Sequence, residues 1–238
     1  MLAAFKPAAK YVLNTAIFAL PAATRQRYKE FHELRYWKGV TAPIAADRAK
    51  LEHERSHYEF FFTQFFGLTH ADYAGKRVLD VGCGPRGSLE WAHMTAERVG
   101  IDPLADKYRA LCEDKQKMTY VCAPSEKMPF PDAHFDQVST FNSLDHVDDV
   151  DATIAEIKRV VKPGGRILLI VEVGHAPTPT EPHFLDEKLV ERFAPHFKPV
   201  NARLFGVRDD HNLYGSMRDG QPFVAGEEGI LAVMLVAA

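Results

Sequence analysis

The residues of this chain best placed to do ligand chemistry lie between Asp80 and Asp102. Gly82, Gly84 and Gly87 spell G-x-G-x-x-G in "VLDVGCGPRGSLEW", directly after an apolar run and ahead of a helix-like stretch. Small residues there let the backbone approach a ligand, and the start of a helix favours electron-rich groups. Asp102 ends the next apolar run, about twenty residues on, where an acid can accept hydrogen bonds from ribose hydroxyls. Asp80 sets the limit on what the loop takes. A carboxylate at its mouth repels the pyrophosphate of a dinucleotide. It favours a nucleoside that carries a cationic tail, such as S-adenosylmethionine with its sulfonium and ammonium groups. The plain structural role for Asp80 is a turn or helix cap.

These residues require a scaffold of strands and helices in alternation. "RVLDVG" reads as a buried strand, "GSLEWAHMTA" as a helix, "RVGID" as a second strand and "DKYRALCED" as a helix. "MTYVCA" and "FDQVSTFNSL" read as the third and fourth strands, "DVDATIAEIKRVV" as an amphipathic helix, "KPGG" as a turn and "RILLIVEV" as the fifth strand. Such alternation implies a parallel sheet with right-handed crossovers. "DEKLVERFAPHF" adds a helix, "VNARLFGV" and "GILAVMLVAA" are closing strands, and "RDDHNLYGSMRDGQPFVAGEE" between them reads as a loop.

Residues 1–73 read as a helical extension, and residues 74–238 as the ligand-binding domain. A helix starts at the N-cap candidate Asp47 and stops at Gly67. Its cluster of Phe60, Phe61, Phe62, Phe65 and Phe66 is too broad for a solvated face. Core packing is the plain reading, and a lid over a substrate pocket the sharper one. The first 23 residues, "MLAAFKPAAKYVLNTAIFALPAA", resemble a weak signal peptide, but the apolar run from Tyr11 to Leu20 is too short to span a bilayer. An amphipathic helix packed on the body is expected, with peripheral membrane contact left open.

Composition removes several classes of function. The 238 residues are 46% hydrophobic with a formal net charge of -3, so no global basic field advertises nucleic acid. Three cysteines, Cys83, Cys112 and Cys122, show no metal-type pairing and suit a reducing cytoplasm.

"VLDVGCGPRG", "GIDPL", "SEKMPFPDAHFDQV", "LDHV" and "KRVVKPGGRILL" occur in an order that resembles class I S-adenosylmethionine-dependent methyltransferases, the type 11 group above all. The likeness runs from about Gly75 to Val173. It implies a three-layer α/β Rossmann-like fold with a seven-stranded, mostly parallel sheet whose last strand is antiparallel. It implies S-adenosylmethionine as cofactor, with Asp80 serving the methionine end and Gly82 and Gly84 the close backbone approach. Asp102 takes the ribose, Pro103 and Leu104 lie beside the adenine, Ser125 and Glu126 edge it, and Asn142 sits near the methionine moiety. Two departures bear on this: Gly87 comes one residue later than in the common loop, and Pro124 stands where many relatives place an acid for the adenine amine.

For the acceptor, His146 after the fourth strand is the preferred candidate base, since the resemblance puts that strand end closest to the methyl, with His175 after the fifth strand second and His183 and His211 behind them. Each could equally be a hydrogen-bonded structural group. The acids of "LDHVDDVD", namely Asp145, Asp148, Asp149 and Asp151, read as helix N-terminal residues beside His146, so metal-independent chemistry is expected. A hydroxylated small molecule, a sugar or saccharide intermediate methylated on oxygen, is the expected substrate. Carbon methylation of a quinone-type or lipid acceptor is the alternative, and a non-catalytic S-adenosylmethionine-binding module is a second.

Overall fold

A computed structural model describes residues 14–45, 47–111 and 117–238. Cys112 and most of the signal-like leader, with the first part of its apolar run, lie outside the described residues. Seven strands form one sheet: β1 Arg77–Val81, β2 Glu97–Asp102, β3 Thr119–Cys122, β4 Phe135–Phe141, β5 Val161–Val173, β6 Phe197–Gly206 and β7 Gly229–Ala237. Their order is β3-β2-β1-β4-β5-β7-β6, with β7 antiparallel to both of its neighbours. The chain steps outward from β1 to β3 and then returns to place β4 on the other side of β1. The switch point therefore falls between β1 and β4, where an open α/β sheet forms its ligand crevice.

Among the described residues, the helices that accompany the sheet include α1 Ala22–Ala45, α2 Arg48–Phe62, α3 Ala105–Leu111, α4 Val150–Val160 and α5 Leu213–Asp219. Among the described residues no helix is long and apolar enough to cross a membrane. α4 covers one sheet face with Ile154, Ile157 and Val160, packed with Leu79, Val138, Ile167, Leu169 and Val233. Its N-cap is Asp149, whose side chain accepts from the Ala152 N–H, and Lys158 and Arg159 occupy its last turn, in accord with the helix dipole.

The opposite face is covered by the aromatic segment. α2 is capped by Asp47, as expected, and ends at Phe62; a 3-10 turn, Gln64–Phe66, carries the chain on to Gly67. Phe61, Phe62, Phe65 and Phe66 are buried with Val78, Phe141, Leu168, Ile170 and Ile230 of the sheet. The Tyr73 hydroxyl donates to the Phe62 carbonyl and accepts from the Gln137 side chain, tying the end of α2 to β4. The phenylalanines are thus a layer of the core rather than a lid. Phe62→Ala, at a fully buried ring, is expected to cost about 3–5 kcal/mol of unfolding free energy, to be read from urea melts.

The stretch after the glycine loop differs from expectation. "GSLEWAHMTA" forms successive turns, not a helix. The Leu89 carbonyl closes a tight turn with the Ala92 N–H, and the Glu90 carbonyl, which a helix would offer to its next turn, accepts from the Arg98 guanidinium, which also reaches Leu89. The Glu90 carboxylate accepts from the Lys117 and Met118 N–H groups. α2 already fills the layer a helix would occupy, with Phe62 6.0 Å from Trp91. Two smaller differences follow the same logic. "DEKLVERFAPHF" is a 3-10 run, Glu187–Phe193, and the long loop before β7 contains α5.

Candidate functional site

The crevice is built where the loops after β1 and β4 meet. Gly82, at φ 72°, has no room for a side chain: a Cβ there would stand 2.2 Å from that of Ser143. Ser143 is held in place by donating to the Val81 carbonyl at 2.8 Å and by pairing with Thr140 at 2.8 Å. Asp80 lies beneath this junction. It is buried, and Ser88 and Ser139 both donate to its carboxylate. Burial pushes Asp80 up to about 6 against the pull of those two serines.

Asp102 bridges the β1 and β2 loops. It accepts from Leu104 N–H at 2.8 Å and faces Gly84 N–H at 3.4 Å, and burial pushes it too up to about 6. Each oxygen keeps acceptor capacity. Pro103 and Leu104 follow directly, with Leu104 buried and the Pro103 carbonyl accepting from Cys122. Ser125 and Glu126 are engaged within the protein. Ser125 pairs with Thr153 at 2.9 Å, and Glu126 accepts from the N–H groups of Asp148 and Asp149, holding the loop ahead of α4. Asn142, at φ 49°, ends β4 with its Oδ1 buried and without a donor. That orphaned acceptor suits the ammonium of a methionine tail. By this measure the residues present fit S-adenosylmethionine.

A roof closes the crevice, and it is α1. Lys29 pairs with Asp148 at 2.9 Å, Glu30 with Lys107 at 2.8 Å and Glu33 with His146 at 2.8 Å. Trp37 stands 3.1 Å from where a Gly84 Cβ would be, with the Arg86 guanidinium 5.4 Å over its ring. Residues 29, 33 and 37 recur at helical spacing and so share one face. This i, i+4, i+8 series of charge and aromatic is the sequence signal for the roof, and the phenylalanine cluster overshadowed it.

The four histidines separate clearly. His146 is bracketed by carboxylates: Nδ1 faces Glu33, while Nε2 lies 3.9 Å from Asp145 and 3.7 Å from Glu181. Burial alone would lower its pKa. The close contact with Glu33 and the charges of Asp145, Glu33 and Glu181 outweigh that and push His146 up to about 9. The surrounding carboxylates therefore favour a positive charge at this ring position, carried by a proton when no other cation is present. His175 is buried, with Nδ1 3.2 Å from the Ala176 carbonyl and Nε2 without a hydrogen-bond partner, 3.9 Å from Asp145. His183 bonds the Val147 carbonyl at 2.8 Å, joining the β5 loop to the β4 loop, and exposed His211 pairs with Glu172 at 3.3 Å.

The acids of "LDHVDDVD" divide into two groups. Asp148, Asp149 and Asp151 serve the start of α4 and its exposed pairs. Asp145 turns the other way into the protein, where Glu181, distant in sequence, meets it and His146. The expectation that every acid here belongs to a helix start therefore holds for three of the four.

A seven-stranded sheet in this order, with a glycine turn after β1 and an acid ending β2, is the Rossmann-like methyltransferase fold. Residues 79–169 match the family described as Methyltransferase domain. The chain is 30% identical over 179 residues to the ubiquinone/menaquinone biosynthesis C-methyltransferase UbiE of Pseudomonas putida. That match covers 69% of this chain and 65% of the relative, just under two thirds of its length. Among solved structures, the geranyl diphosphate C-methyltransferase of Streptomyces coelicolor A3(2), in complex with Mg2+, geranyl diphosphate and S-adenosyl-L-homocysteine, is 17% identical. It aligns with a TM-score of 0.56 over 80% of this chain and 82% of its own. The [4+2]-cyclase SpnF is 22% identical with a TM-score of 0.52, over 68% of this chain and 75% of its own. One fold thus carries both a C-methyltransferase and a cyclase, and at these identities the structural likeness speaks for the fold alone.

Proposed function

We propose that this protein transfers a methyl group from S-adenosylmethionine to a hydroxyl oxygen of a small molecule, in the first instance a sugar or saccharide intermediate. The observation that carries the reading is the polar wall at the ends of β4 and β5. Asp145, His146, Glu172, His175 and Glu181 gather there, which suits a hydroxylated acceptor better than an apolar one. When bound, the cofactor supplies an electrophilic methyl on a sulfonium. The chain supplies position and proton transfer. Asp102 holds the ribose, Asn142 and the field of Asp80 hold the cationic tail, and α1 excludes water from above. His175, whose Nε2 has no protein donor against it, accepts the proton of the acceptor hydroxyl. His146, with Nδ1 against Glu33, lines the acceptor side.

A second reading is carbon methylation of a quinone-type or lipid acceptor, favoured by the 30% identity to the Pseudomonas putida enzyme. The two are separated by incubating the protein with methyl-labelled S-adenosylmethionine and pools of nucleotide sugars, saccharides and quinone precursors. Mass spectrometry then locates the label. Label on oxygen supports the first reading, and label on a ring carbon replaces it with the second. Asp102→Ala should weaken S-adenosylmethionine binding by about 1–3 kcal/mol, with no NAD binding in either form; calorimetry checks both.

A further inference from the structure

We propose that Asp145, His146 and Glu181 form a binding site for one divalent first-row metal ion, with His175 at its edge. One ligand atom from each of the three lies within 4.8 Å of the others. Two donors bound at about 2.0–2.2 Å to one ion sit roughly 3–4 Å apart, so the 3.7 and 3.9 Å separations around His146 Nε2 need little closure.

Independent observations point to a cation rather than to an acidic cluster alone. Asp145 is 1% exposed, and its Oδ1 has no hydrogen-bond partner. A buried carboxylate in that state calls for a positive partner. His175, 7% exposed, has its Nε2 unpartnered and 3.9 Å from the Asp145 Oδ2 that also faces His146. The outer contact of His146 resembles that of a metal-bound imidazole. A ligating histidine usually gives its second ring nitrogen to a carboxylate or carbonyl. Glu33 stands in this place for His146, its Oε1 2.8 Å from Nδ1 as an ion-pair contact outside hydrogen-bond geometry, and the Nδ1 of His175 lies 3.2 Å from the Ala176 carbonyl, leaving its Nε2 free beside the site. Glu33 thereby acts as a positioning residue on the roof helix, so metal binding and closure of α1 share one contact.

Imidazole with carboxylates suits Mn2+, Fe2+, Co2+ or Zn2+ better than Ca2+ or a soft-thiolate ion. Three protein ligands leave positions open for two oxygens of an acceptor. Resting on the oxygen-acceptor reading above, the inferred substrate class is one with adjacent oxygen donors, such as a vicinal diol or a hydroxy acid. The ion would polarise the hydroxyl whose proton His175 removes.

Metal binding is tested without reference to turnover. The full chain, freed of metal by chelator, is dialysed against Mn2+, Co2+ or Zn2+ and assayed for bound ion, and the Co2+ form is followed by its visible absorption. One ion per chain is expected, lost in Asp145→Asn and His146→Gln. Glu181→Gln, on a half-buried loop, keeps the fold safest and should weaken binding about 10-fold or more; Glu33→Gln should do so by about 10–100-fold, the usual range for outer contacts. Circular dichroism checks that each variant is folded. Failure of the wild type to hold any of the three ions would overturn the site and leave a salt-bridged histidine cluster. Retention of the ion by folded Asp145→Asn and Glu181→Gln would overturn it as well, placing the metal elsewhere. Stoichiometric binding without methyl transfer to any oxygen acceptor would leave the site standing and remove the substrate reading.

Discussion

His175→Gln is expected to lower methyl transfer by about 100-fold or more while S-adenosylmethionine affinity stays within a few-fold of wild type. Glutamine keeps the bulk and polarity of the side chain but cannot take up a proton. His175 follows β5, on the crevice side of the sheet, and is 7% exposed. Its Nδ1 lies 3.2 Å from the Ala176 carbonyl, which favours a proton on that nitrogen and a free lone pair on Nε2. The other histidines supply the contrast. His183 is committed to the Val147 carbonyl and His211 lies on the surface against Glu172, so His183→Gln and His211→Gln should stay within a few-fold of wild-type turnover. Formation of S-adenosylhomocysteine measures the rate, and calorimetry the affinity. Near wild-type turnover in His175→Gln would mean that position and orientation alone drive transfer, and would move the reading toward carbon methylation.

Asp80→Asn is expected to stabilise the ligand-free protein at pH 7.5 and to weaken S-adenosylmethionine binding about 10-fold or more. The carboxylate lies in the centre of the sheet, and burial pushes its pKa to about 6, above the unfolded value of about 3.9. Between those values the native state binds the proton more tightly than the unfolded chain does. Asp80 therefore makes stability fall as pH rises from about 4 to about 6, and the penalty stays in force above that range. Two pKa units correspond to on the order of 3 kcal/mol, an upper figure for what the amide relieves. The amide can be accommodated, because Ser139 Oγ also reaches the Leu79 carbonyl at 3.1 Å and can turn its proton there, freeing itself to accept from Asn. Urea melts at pH 4 and pH 7.5 provide the check. The variant should match wild type at pH 4, where the carboxyl is protonated, and exceed it at pH 7.5. Equal stability at both pH values would show that Asp80 titrates normally. Stability would then be exchanged for binding, since the buried charge that costs the empty protein is the one that attracts a cationic tail.

The glycine turn and the strands around it were legible in the sequence because short segments specify them. The run Arg77–Val81, the glycine turn and Asp102 lie within one strand–turn–strand unit, where local periodicity and backbone requirements decide the outcome. Gly82 had to be small, and the strand and turn patterns already said so; only the structure showed that Ser143 of another loop is the reason. The same locality explains the N-caps Asp47 and Asp149, since a cap is a contact across two or three residues.

What tertiary structure alone decided depends on pieces remote in sequence. The "GSLEWAHMTA" stretch has a helical pattern, yet Arg98 takes the Glu90 carbonyl and α2 the helix's place in the layers. The phenylalanines of α2 could have been lid or core with equal local logic; packing against β1, β4, β5 and β7 made them core and left the roof to α1. The acceptor side gathers Glu33, Asp145, His146, His175 and Glu181 from three separate segments. Periodicity says where a strand ends, but not which side chains from other strand ends will meet there. The charge on His146 follows the same rule, because it comes from carboxylates up to 113 residues away along the chain, in Glu33, and only a few ångströms away in space.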